Sequence, residues 1–133
     1  VGEVRGEDML DNLFEAAPET HIPCLEAAMT ATEAGSGVVT DRGAAWTEFD
    51  VPAVMANPLE EALGRCWPWS GDSFGVELRQ QWVDAIHEAT TQSGVTLGVV
   101  PLRVLAETDG VLDQLEKRGL AISGPLWRKE GPR

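Results

Sequence analysis

Four side chains in this sequence could ligate a metal or serve thiol chemistry: His21, Cys24, Cys66 and His87. Two thiolates and two imidazoles suffice for tetrahedral zinc. His21 and Cys24 have ligand-like spacing, because a loop or first helical turn can aim both at one ion. Zinc signatures become specific when two closely spaced pairs occur, and this chain has one pair and two isolated residues. The expectation is therefore no metal, no other cofactor, and two reduced, buried thiols in a cytoplasmic protein. A single bridge closing a loop of about forty residues is the alternative, and it belongs to an oxidising compartment.

Other chemistry is weaker still. Asp84, His87 and Glu88 stand at i, i+3 and i+4, so Asp84 could orient His87 for proton transfer. The plainer reading is a boundary histidine paired locally with Asp84. Glu60 and Glu61 are adjacent on a helix, diverge by about 100° and share no site. Cys66, near a helix C-terminus, meets the dipole end that discourages a thiolate, and Cys24 has acidic surroundings. No catalytic group is assigned. The segment "RCWPWSGDSFG" holds two tryptophans around Pro68, which restricts Trp67 to extended backbone. Cys66, Trp67, Trp69 and His87 form an alternative pocket for a small enzyme or ligand-binding domain. The competing role for the two rings is to plug the core.

Charge is the strongest signal. The 133 residues carry a net charge of -12. Residues 1–61 hold 13 acids against Arg5 and Arg42, a balance of -11, whereas residues 62–133 hold 9 acids and 8 bases, a balance of -1. From Gly6 to Asp41 there are eight acids and no Lys or Arg. Such a chain is a poor partner for duplex nucleic acid or an anionic membrane. It suits a basic protein, which a single-sign face would steer into contact. Asp8, Asp11, Glu15, Glu48 and Asp50 are the expected contacts, with Trp46 as aromatic anchor. An immunity-protein or antitoxin-like inhibitor is the concrete form of this expectation. A homodimer is compatible with it.

These residues need elements to hold them. Residues 7–17 read as an amphipathic helix ended by Pro18. A second helix starts near Ile22 with Leu25, Ala28 and Met29 inward, and stops at "GSG", 35–37. The segment "VVTDRGAAWTEFDV" reads as an antiparallel hairpin turning at "DRG". Asn57-Pro58 opens a third helix, and residues 75–92 form the longest, with Leu78, Trp82, Ala85, Ile86 and Ala89 inward. "VTLGVV", 95–100, reads as a buried strand, 108–119 as a capped helix and "LAI" as a short strand. The sum is one small α+β domain over 7–127, with about five short helices, a hairpin and one or two further strands. Residues 1–6 and 128–133 are expected to be flexible, the latter as a basic tail behind Trp127.

Overall fold

The computed structural model describes residues 5–66 and 73–128. Among them the regular structure is entirely helical, so the α+β expectation, with its hairpin and strands, is corrected to an all-α fold. The order is α1 (Gly6–Glu15), a 3-10 turn (Pro18–His21), α2 (Ile22–Glu33), α3 (Gly37–Thr47), α4 (Val51–Met55), α5 (Pro58–Arg65), α6 (Ser73–Thr90), α7 (Leu102–Ala106) and α8 (Val111–Lys117).

The hairpin expectation fails because α3 is specified from a distance. Val38, Arg42 and Ala45 are its covered residues, spaced i, i+4 and i+7 as a helix requires. The buried Asn57 donates Nδ2–H to the Val38 carbonyl at 3.0 Å. Arg42 reaches Glu60, which is only 4% exposed, with Nη2 at 2.7 Å and Nε at 2.8 Å. The partners lie eighteen and nineteen residues downstream, so no local pattern displays them. The "DRG" turn signal yields to these contacts, with Gly43 tolerated inside the helix.

Helix α2 forms where the Ile22-Pro23 start and Gly35 stop place it, but with a different inner face. Leu25, Ala28 and Met29 are exposed, and the covered stripe is Cys24, Ala27 and Ala31. The reason is covalent as well as steric. Cys24 and Cys66 form a disulfide with their Cα atoms 4.6 Å apart, tying α2 to the end of α5. The expected pair of reduced thiols is thus replaced by a bridge.

The main core lies in the C-terminal half. Val83, Val104, Val111 and Leu115 are buried together, with Trp82, Ile86, Val100, Leu105, Leu120 and Ile122 packed around them. Helices α6, α7 and α8 supply this cluster, and α4 packs on α7 to join the two halves. The 95–100 segment does not become a strand. It makes no backbone hydrogen bond among the described residues, and Val95, Leu97 and Val99 are exposed. A strand is stable only beside another, and "LAI" at 120–122 does not pair with it. Val100, Leu120 and Ile122 still reach the core from irregular backbone.

Candidate functional site

The corner between α3 and α4 brings together half of the expected contact residues, Trp46, Glu48 and Asp50. Helix α3 ends at Thr47, and Phe49 then takes a left-handed backbone conformation with φ 57°. This is an uncommon state for a bulky residue and turns the chain sharply. The Asp50 carboxylate accepts the Ala53 N–H at 3.0 Å and caps α4, whose first turn contains Pro52. As a result Trp46 (44% exposed) and Phe49 (70% exposed) project from the corner.

Both rings line an apolar groove of about 200 Å³, together with Val51, Val54, Leu102 and Trp127. Glu48 and Asp50 are exposed beside it. Two exposed rings beside an apolar groove and flanked by carboxylates have the chemistry of a protein-docking surface: apolar area to desolvate, and charges to select the partner's sign. Phe49 was not anticipated as a contact. The sequence "DVP" was a readable helix start, with Asp as cap and Pro in the first turn, and it would have exposed the corner.

Asp8, Asp11 and Glu15 share the exposed face of α1, at i, i+3 and i+7, while Met9, Asn12, Leu13 and Ala16 are partly covered. Helix α1 makes no extensive contact with α3 or α4 among the described residues. The structure therefore does not join these three acids to Trp46, Glu48 and Asp50 in one patch.

The alternative pocket is not assembled by the described residues. Cys66 is consumed in the disulfide, and Trp67 and Trp69 lie outside the described residues. His87 is half-buried on α6, with Nδ1 buried and without a hydrogen-bond partner. Asp84 does not orient it. Its carboxylate accepts from Arg118 Nη2 at 2.7 Å and from Gln80 at 3.0 Å. The Arg118 hydrogen bond holds Asp84 below its ordinary value against the opposing effect of burial. A larger apolar cavity, about 410 Å³, lies between α6 and the 94–100 segment, lined by Trp82, Ile86, Ala89, Leu97, Val100 and Leu105.

Among the described residues no three His, Cys, Asp or Glu side chains are grouped to hold a metal. The Cys24 sulfur, bonded to Cys66, has no thiolate to offer beside His21. No helix among the described residues is long and apolar enough to cross a membrane.

Residues 5–123 match the protein-family model described as the TraB/PrgY/gumN family. No curated protein and no solved structure matches the chain.

Proposed function

The chain belongs to the TraB/PrgY/gumN family, and we propose that it acts as a protein-binding domain that docks a basic partner on the corner of α3 and α4. The observation that carries this reading is the exposed pair Trp46 and Phe49 at an apolar groove, with Glu48 and Asp50 beside it. Large aromatic side chains carry most of the energy of protein interfaces when a partner desolvates them. Carboxylates at the rim contribute mainly to association rate and partner choice. The -11 balance of residues 1–61 adds a long-range field of the same sign. An inhibitor of the immunity-protein or antitoxin kind is the form this takes when the partner's basic surface is also its working surface. The acids on α1 contribute to steering rather than to contact.

The Cys24–Cys66 bridge supports an oxidising compartment as the site of action in place of the cytoplasm. Binding is tested by capture of partners from the source organism at low and high salt, with wild type and a W46A/E48K/D50N variant. Asn at position 50 keeps the helix cap while removing the charge. The variant should retain less than about a tenth of the captured basic protein, by the cost of losing one aromatic anchor and two rim charges. Equal capture by both proteins, with unchanged salt dependence, would end the proposal.

A further inference from the structure

Arg103 on α7 is a half-buried cation. No carboxylate among the described residues lies within ion-pair distance of it, in a chain with 22 acids. Its Nε is shut away from water and has no hydrogen-bond acceptor. Its side chain lies flat on α5 at Gly64, where any Cβ would come within 2.4 Å of Nη1 and 2.5 Å of Cδ and Cζ. A side chain at position 64 would displace the guanidinium from this place on α5, which glycine leaves open to it.

Arg103 lines a cavity of about 500 Å³ with Met55, Glu107, Asp113, Trp127 and Arg128. The other charges of the lining are already engaged. Glu107 pairs with Arg79, and Arg128 pairs with Asp113 and Glu116. Arg103 is therefore the one lining charge that makes no ion pair among the described residues, in a cavity whose remaining walls include Met55, Pro52 and the Trp127 ring. A half-buried guanidinium with no counterion among the described residues and its Nε–H shut from water carries a desolvation cost, and a carboxylate arriving from outside offsets it while matching the fork of donors. The volume falls within the range of small-molecule sites.

We propose that this cavity binds a small monocarboxylate with an apolar, ring-sized body. The carboxylate pairs with Arg103 and the body packs against Trp127 and Met55. Two sources share that chemistry: a free aromatic acid, and the C-terminal residue of a peptide. The cavity shares Trp127 with the α3–α4 groove but contains neither Glu48 nor Asp50, so its ligand is read by Arg103 and not by the rim acids.

Isothermal titration with phenylacetate and with N-acetyl-phenylalanine tests both sources. Wild type should bind at least one with a dissociation constant on the order of 1 mM or tighter, as suits ligands of this size. Tighter binding of the second acid points to a chain terminus, and of the first to a free acid. Arg103→Gln should weaken binding at least about tenfold through loss of the charge-assisted pair. Arg65→Gln, at an exposed guanidinium outside the cavity, should bind as wild type does. Should Arg103→Gln fold poorly, Met55→Glu leaves Arg103 in place and supplies the cavity with its own carboxylate, which should also abolish binding. No binding of either acid by wild type at about 10 mM, a hundredth of the concentration at which the free energy of binding is referenced, overturns the proposal. So does equal binding by wild type and Arg103→Gln.

Discussion

Burial pushes the Asp113 carboxyl up, but three donors more than reverse that and leave it below its ordinary value. They are Trp127 Nε1 at 3.0 Å, the Arg128 guanidinium at 2.6 Å and 2.9 Å, and the Asp109 N–H at 3.0 Å. One side chain thus closes the start of α8 and fastens the 127–128 segment, with Arg128 also 4.8 Å from the Trp127 ring. Asp113→Asn should cost about 1–3 kcal/mol, since it loses charge-assisted bonds at a mostly covered site. Urea unfolding followed by tryptophan emission measures this. A carboxyl whose folded value is depressed contributes stability that is fully present above its unfolded value. That contribution is lost as pH falls from about 4 through the lower folded value. Asp113 and Asp84 both lie on this side of the balance, Asp84 through the Arg118 hydrogen bond first. Unfolding midpoints of wild type should therefore drop steeply below about pH 4. Asp113→Asn should start lower and drop less steeply.

Between elements, the decisive tie is the Cys24–Cys66 bridge that clamps α2 on α5 across 42 positions. Helix α2 has no buried residue, so its apolar packing alone is slight. Closing a loop of this length stabilises by about 4 kcal/mol in the chain-entropy account. A C24S/C66S double variant, or wild type under reductant, should show a melting temperature lower by roughly 10 °C or more for a domain of this size. Calorimetry with and without reductant reads it directly, and an unchanged transition would mean that α2 is held by packing instead. The α3–α5 tie is of another kind. Glu60 is buried and paired with Arg42, whose side chain is 31% exposed. Glu60→Ala should cost about 2–3 kcal/mol, the low end for breaking a buried ion pair because Arg42 retains some water.

For the molecule as a whole, the acidic half and the neutral half obey different rules. The core of valines and Leu115 belongs to the half that is close to neutral, where helices can approach without repulsion. The acidic half buries little, and many of its large apolar side chains, including Phe14, Leu25, Met29 and Trp46, are exposed. Its carboxylates repel one another over distances comparable to the screening length of about 10 Å at 0.1 M salt. Raising salt from about 10 mM to 300 mM should therefore raise the melting temperature, because screening relieves self-repulsion more than it weakens the exposed ion pairs. The same change should weaken capture of a basic partner. Opposite signs in these two measurements, stability up and binding down, are the joint signature of a single-sign face that recognises rather than packs.

Several features were legible from residues alone because their causes are local. Pro18, Pro23, Gly35 and the Asn57-Pro58 pair bound their helices through backbone geometry that each residue carries with it. The long α6 follows from its apolar period, and the charge asymmetry is a matter of composition. Trp127 was readable as the anchor of the last segment, though not its bond to Asp113. What tertiary structure decided were the pairings between distant positions. Val38 and Arg42 sit in a helix because Asn57 and Glu60 meet them, not because of any turn signal. Residues 95–100 have the composition of a strand, but strand formation needs a neighbour, and none of the described residues pairs with them. The state of Cys24 and Cys66 was likewise undetermined until α2 and α5 brought their Cα atoms to 4.6 Å. Local preference sets which conformations are cheap; contacts between remote residues choose among them.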